Sequence, residues 1–215
     1  MTNKGKVTVL LSGRGSNLKA LIQQQRGYRV HHVIADKADA GGLAIAREAN
    51  IPTTVVIRQE HPSLAAFKAA VLSAVEATDP HLVALAGFMV VVQPEFVNRF
   101  HGKLINIHPS LLPHFPGLNT HARALEANHT EHGCTVHFVD TGVDTGPFIA
   151  QAKVPVRKDD TAETLAARVI TQEHTLYPWI VRNLIEGTIQ LKEGAVRYSP
   201  NIIAEGRALG YTTFE

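Results

Sequence analysis

The run Asn106-Ile107-His108-Pro109-Ser110-Leu111-Leu112-Pro113 places an amide and an imidazole two residues apart at the end of an apolar segment. Leu104, Ile105 and Ile107 give that segment a strand pattern. Residues two apart on a strand share a face, so Asn106 and His108 converge while Ile105 and Ile107 point the other way. Pro109 biases His108 toward extended backbone, and Pro113, Pro116 and Gly117 keep the following residues irregular. An amide and an imidazole at the mouth of a sheet can stabilise an oxyanion and handle a proton. The same side chains could instead tie down the proline-rich loop, and the local pattern does not separate the two.

Two further stretches could carry chemistry. Ser12-Gly13-Arg14-Gly15-Ser16-Asn17-Leu18 links an apolar strand to a helical pattern. Its glycines permit a tight turn, and N–H groups at the helix start, with Ser16 and Asn17, form a cradle for a phosphate. Helix capping by Ser16 or Asn17 is the plainer alternative. Asp36 stands where a ribose-binding acid would in a dinucleotide site, but Leu18 occupies the place of the third glycine, so one phosphate is expected rather than two. Asp140-Thr141-Gly142-Val143-Asp144-Thr145-Gly146-Pro147 joins two strand patterns. Its glycines let backbone approach a ligand, and either aspartate could orient an imidazole, although Asp and Gly are also ordinary turn residues.

These side chains need a frame. Apolar strands at Val7 to Ser12, Val30 to Ala35, Thr53 to Ile57 and Leu82 to Ala86 alternate with helices at Ser16 to Gln25, Gly41 to Asn50 and Ser63 to Ala77. That rhythm predicts parallel strands covered on both faces. Beyond Gly87 the pattern gives a short helix at Pro94 to Phe100, the Asn106 strand and a helix near Asn119 to Asn128. Two close strands, Thr135 to Val139 and Phe148 to Val156, are expected to add antiparallel pieces. A long helix follows from Thr161 to about Ile185, then a hairpin turning at Lys192-Glu193-Gly194 and a weakly patterned tail.

At 215 residues and 45% hydrophobic content the chain can bury one sizeable core, and a single domain is expected. With 21 basic and 19 acidic residues, and no Lys/Arg-rich run, a nucleic-acid partner is not expected. The opening residues lack a secretory core and no apolar stretch reaches roughly 18 residues, so a cytoplasmic protein with no membrane partner is expected. Cys134, the single cysteine, sits in a strand pattern and reads as a buried thiol. The 12 histidines invite a metal, but the close pair in His129-Thr130-Glu131-His132 lacks the spacing and third ligand of a helical zinc site, so none is expected.

Together, Asn106 to Pro113, the Gly13-Arg14-Gly15-Ser16-Asn17 turn, Asp140 to Pro147 and Thr171-Gln172-Glu173-His174 resemble the phosphoribosylglycinamide formyltransferase family over nearly the whole chain. The resemblance implies an α/β formyltransferase-type fold in one domain, 1–215. An N-terminal mononucleotide-binding parallel half, 1–100, continues into a mixed sheet with a long C-terminal helix and hairpin, 101–215, the folate-binding and catalytic half. It implies formyl transfer from 10-formyltetrahydrofolate, as co-substrate and without metal, to the primary amine of phosphoribosylglycinamide in purine synthesis. Monomer and homodimer both fit.

The same resemblance implies that Asn106, His108 and Asp144 are catalytic, with the Asn106 amide and protonated His108 as donors and Asp144 favouring the imidazolium. It puts the ribonucleotide phosphate on Gly15, Ser16, Asn17 and Leu18, the amine beside Ile107 and Pro109, and ribose hydroxyls on Glu173. The pterin is expected in an apolar slot of Leu85, Met89, Val90, Val91, Val92, Leu104 and Val139, closed by Asp140, Thr141, Gly142, Val143 and Asp144. Plain core is the alternative for Val90 to Val92. Members often carry Asn, Arg and Gln where this chain has Arg14, Val90 and Ile170, and some carry an arginine near Leu64, so contacts at those points do not carry over. Within the same fold, formyl-folate hydrolases and tRNA formyltransferases are the rivals, distinguished by added domains. From other classes, a nicotinamide-dependent dehydrogenase and a non-catalytic nucleotide-binding module remain open.

Overall fold

Strand β1 (Gly5–Leu11) is apolar on both faces because both are covered, and Val7, Val9, Leu10 and Leu11 are wholly buried. The computed structural model describes residues 4–214, so Met1 to Asn3, part of the opening stretch read for a secretory core, lie outside the described residues. The chain divides at Ile105/Asn106 into two compact units.

In the first unit β1 is followed by α1 (Ser16–Gln23), β2 (Tyr28–Ala35), α2 (Gly41–Glu48), β3 (Thr53–Val55), a 3₁₀ turn, α3 (Leu64–Glu76), β4 (Leu82–Leu85) and α4 (Pro94–Arg99). Its strands run in the order β3-β2-β1-β4, with every pair parallel. Ser63 caps α3 by accepting the Ala66 amide at 3.1 Å, which starts that helix one residue later than its pattern suggests. The strand-helix alternation thus puts the Gly13 to Asn17 turn at the C-terminal end of β1, where doubly wound folds bind ligands.

The chain passes into the second unit along β5 (Leu104–His108). There follow α5 (Thr120–Glu126), β6 (Glu131–Phe138), β7 (Phe148–Pro155), α6 (Ala162–Ile185), the β8 (Ile189–Lys192) and β9 (Ala195–Tyr198) hairpin, α7 (Pro200–Ala208) and β10 (Tyr211–Thr213). The order is β5-β6-β7-β10, with β6–β7 and β7–β10 antiparallel. Helix α6 opens with a Thr161/Thr164 capping box and packs over β6 and β7 through residues such as Leu165, Val169 and Leu176, all wholly buried. The tail read as weakly patterned in fact forms α7 and β10. Among the described residues, no helix is long and apolar enough to cross a membrane.

Candidate active site

Asn106 and His108 leave β5 together, and the β6–β7 loop brings Asp144 to both. Asp144 Oδ2 lies 3.2 Å from His108 Nδ1 and accepts the Gly117 amide at 2.8 Å, while Oδ1 accepts an Asn106 amide hydrogen at 3.4 Å. The approach depends on left-handed backbone at Asp144, φ 56°, which Asp and Asn tolerate better than most residues. A fourth group, His137 on β6, was not marked in the sequence. Its Nε2 accepts the other Asn106 amide hydrogen at 3.3 Å and lies 3.6 Å from Asp144 Oδ1. The signal that could have found it is the two-residue period that puts His137 on the same strand face as Thr135, whose hydroxyl donates to the Ser110 carbonyl just past His108.

Backbone carbonyls decide which nitrogen of each ring is protonated, since a carbonyl can only accept. His108 Nε2 donates to the Phe115 carbonyl at 2.9 Å, and His137 Nδ1 to the Phe138 carbonyl at 2.8 Å. The nitrogen of each ring that faces Asp144 therefore carries a proton only in the imidazolium form. Burial pushes the His108 pKa below its ordinary value, and the Phe115 carbonyl and the Asp144 charge oppose this without reversing it. Burial also acts to raise Asp144, but interaction with His137, the Gly117 amide and the charge of His108 outweigh it and hold the carboxyl below its usual range. The site thus holds an ionised carboxylate against a histidine whose burial disfavours the imidazolium and whose contact with Asp144 favours it.

The two aspartates of the loop have separate tasks. Asp140 Oδ1 accepts the Gly142 amide at 3.0 Å and the Thr145 hydroxyl at 2.8 Å, shaping the turn that delivers Asp144. Gly146 is required by packing, because a Cβ there would lie 2.0 Å from the Phe138 carbonyl.

In the first unit, Gly15 takes φ 80° at the start of α1, and a Cβ on it would meet Gly42 Cα at 2.5 Å. The first intrahelical bond runs from the Lys19 amide to the Gly15 carbonyl, and no side chain caps the helix. The Ser16, Asn17 and Leu18 amides consequently lie in the helix's first turn, ahead of that bond, where an anion is favoured. The Leu18 side chain is wholly buried, so only its backbone can serve a ligand.

The formyl transferase family model matches residues 5–181. A phosphoribosylglycinamide formyltransferase of Escherichia coli (strain K12) is 44% identical over 193 residues, spanning 88% of this chain and 91% of that protein. This chain belongs to the phosphoribosylglycinamide formyltransferase family. A crystal structure of glycinamide ribonucleotide transformylase 1 from Symbiobacterium toebii superposes with a TM-score of 0.87 at 41% identity, covering 92% of this chain and 95% of that one. The fold is accordingly the α/β formyltransferase type. The Bos taurus trifunctional purine biosynthetic protein adenosine-3 is 43% identical over 88% of this chain, which spans 19% of that longer protein.

Among the residues that the formyltransferase resemblance assigns to folate, Leu85 and Leu104 are buried, whereas Met89 and Val91 are 60% and 54% exposed. The Met89 to Val92 run is therefore not plain core. Its start is anchored by the buried Ser12 hydroxyl, which accepts the Met89 amide at 2.8 Å. In the second unit Val143 is also exposed. Ile107 is buried, the Pro109 carbonyl accepts the Thr120 hydroxyl at 2.7 Å, and Glu173 is buried on α6, where its charge helps push up the Cys134 thiol and the Tyr177 phenol, each already raised by burial. A cavity of about 330 Å³ lined by residues including Leu112, His114, His129, Glu131 and Lys153 does not include Asn106, His108 or Asp144. Geometry and chemistry, not cavity size, mark the candidate site.

Proposed function

We propose that the chain transfers a formyl group from 10-formyltetrahydrofolate to the primary amine of phosphoribosylglycinamide, with Asn106, His108 and Asp144 performing the chemistry. A folate-derived donor follows from the family. The observation that carries the assignment is the meeting of an amide, an imidazole and a carboxylate at 3.2 and 3.4 Å. The transfer forms a bond from the amine nitrogen to the formyl carbon and breaks the bond from that carbon to the folate nitrogen. One proton moves from the amine to the departing nitrogen, and in between negative charge rests on the formyl oxygen.

Asn106 can redirect an amide hydrogen to that oxygen, because its present bonds are long, 3.3 and 3.4 Å. His108 Nε2–H can turn to it from the Phe115 carbonyl. Negative charge arriving beside His108 favours the imidazolium, and Asp144 already faces the nitrogen that takes up the proton. The ionised Asp144 also provides a station for the amine proton, directly or through water.

The amides of Ser16, Asn17 and Leu18 beside Gly15 are assigned to the substrate phosphate, Ile107 and Pro109 to its amine and Glu173 to its ribose. For the pterin, the exposed apolar side chains of Met89, Val91 and Val143 support contacts from Met89 to Val92 and from Val139 to Asp144. The buried Leu85 and Leu104 are assigned with the first of these sets. We treat the two units as one formyltransferase domain acting in the cytoplasm, as monomer or homodimer.

A direct assay with both substrates tests this. Asn106→Ala should lower turnover about a hundredfold, as loss of an oxyanion donor does, with milder effects on KM. A parent protein that does not formylate phosphoribosylglycinamide overturns the reading, and parental turnover in a folded Asn106→Ala variant removes that residue from it.

A further inference from the structure

The segment between β5 and α5 touches both members of the His108–Asp144 pair. Its Phe115 carbonyl accepts the His108 Nε2–H at 2.9 Å, and its Gly117 amide donates to Asp144 Oδ2 at 2.8 Å. Both residues have left-handed backbone, φ 55° at Phe115 and 77° at Gly117, and a bulky residue such as Phe holds that conformation only with outside support. From the β5 side, the buried Ser110 hydroxyl donates to the His114 carbonyl at 2.6 Å. From α5, Arg123 Nη1 donates to the Pro116 carbonyl at 2.6 Å and the Leu118 carbonyl at 3.3 Å, and its guanidinium carbon lies 5.4 Å from the Phe115 ring centroid. The His129 ring packs edgewise on Phe115 at 4.8 Å.

Among the described residues no carboxylate forms an ion pair with Arg123, and its hydrogen bonds go to this segment. One guanidinium nitrogen reaches two carbonyls here while the planar face lies over an aromatic ring; a Lys ammonium keeps charge and donors but has no such face. We propose that Arg123 is a positioning residue for the catalytic pair. By clamping the Pro116 and Leu118 carbonyls and covering Phe115, it fixes the carbonyl that holds His108 and the amide that holds Asp144. The consequence for turnover rests on the formyl-transfer reading above; the consequence for the loop does not.

Arg123→Met keeps an apolar cover on Phe115 and removes the donors, while Arg123→Lys keeps the charge and a donor nitrogen without the planar face. Amide hydrogen exchange at Gly117 and steady-state kinetics with both substrates form the test, with the thermal midpoint as a check on folding. In Arg123→Met, Gly117 should exchange about tenfold faster or more, and kcat should fall about threefold to tenfold with each KM within about twofold. Arg123→Lys should recover part of both. Parental Gly117 protection in Arg123→Met overturns the proposal, as does faster exchange with unchanged kcat or a uniform rise in KM alone. If Arg123→Met does not fold, Arg123→Lys decides, because parental values of both readouts without the guanidinium overturn the proposal that Arg123 sets this segment. A parent that lacks formyl transfer defeats the functional reading instead, and Gly117 exchange still judges the clamp.

Discussion

Replacing Asp144 by Asn withdraws one charge from the site at nearly constant volume. Asn accepts the left-handed backbone found here, so the loop should keep its path. At the 3.2 Å separation of Asp144 Oδ2 and His108 Nδ1, opposite unit charges attract by about 5 kcal/mol at an effective dielectric of about 20 and by about 1 kcal/mol in bulk water. At about 1.4 kcal/mol per pKa unit this spans roughly one to four units. Both side chains are mostly buried, so solvent screening is limited and a fall of about two units in the His108 pKa is expected. If the imidazolium is the active form, its fraction above the pKa drops tenfold per unit, so kcat near neutrality should fall about a hundredfold and the decline of activity with rising pH should begin at lower pH. Stability should drop by only about 1 kcal/mol, because one amide hydrogen of the new Asn would face either Asn106 Nδ2 or the Gly117 amide. An NMR titration of His108 beside kcat–pH profiles of both proteins reads these effects. A His108 pKa within about half a unit of the parent, with near-parental kcat, would make Asp144 an ordinary turn residue and shrink the assignment to Asn106 and His108.

The phosphate cradle is testable by a change whose effects on folding and binding have opposite signs. Ser16→Asp puts a carboxylate in the first turn of α1, which has no acid there, so the thermal midpoint should hold or rise while the KM for the ribonucleotide rises about tenfold or more and that for the folate donor stays put. A fallen midpoint, or equal rises in both KM values, speaks against the cradle. His132 governs part of the acid stability: burial first, then the charges of His121 and His129, push its pKa down from 6.5 to about 4. The unfolded chain then binds more protons between those values, so stability is lost as pH falls through 6.5 toward 4, by at most roughly 3 kcal/mol. His132→Gln should lose less midpoint than the parent between about pH 7 and pH 5, and an equal loss would show that other groups govern this limb.

What the sequence disclosed follows from how local each signal is. Asn106 and His108 were legible because a two-residue period on an apolar strand leaves little choice of face. Which of Asp140 and Asp144 reaches the imidazole was not legible in the local pattern, and only the family resemblance pointed to Asp144, since the choice turns on a single left-handed φ inside the loop and on the Asp140 carboxylate being engaged with Gly142 and Thr145. His137 escaped for a related reason: facing the site depends on β6 lying next to β5, which no spacing in the chain announces. Strand β6 also starts earlier than its apolar pattern, because Glu131, His132 and Gly133 pair with Pro155, Val154 and Lys153 whatever their hydropathy. The tail helix has Pro200 at its first turn as a start signal but little amphipathic contrast after it, and a three-residue strand is too short to show any period.

That three-residue strand has a consequence for the chain as a colloid. Tyr211, Thr212 and Thr213 pair with Ala152, Gln151 and Ala150, and the buried Tyr211 ring packs 5.3 Å from Trp179. A strand so short is blunt as an outer edge, and it occupies the row of amides and carbonyls that β7 would otherwise present to another molecule. The residue at the middle of this pairing, Gln151, sends its amide to the Leu112 carbonyl, in the loop that follows His108, and to the Thr135 hydroxyl on β6. Fraying of this strand would therefore open a template for intermolecular strand addition and, through one side chain, slacken the backbone beyond His108, so loss of activity on storage and the onset of self-association should rise together.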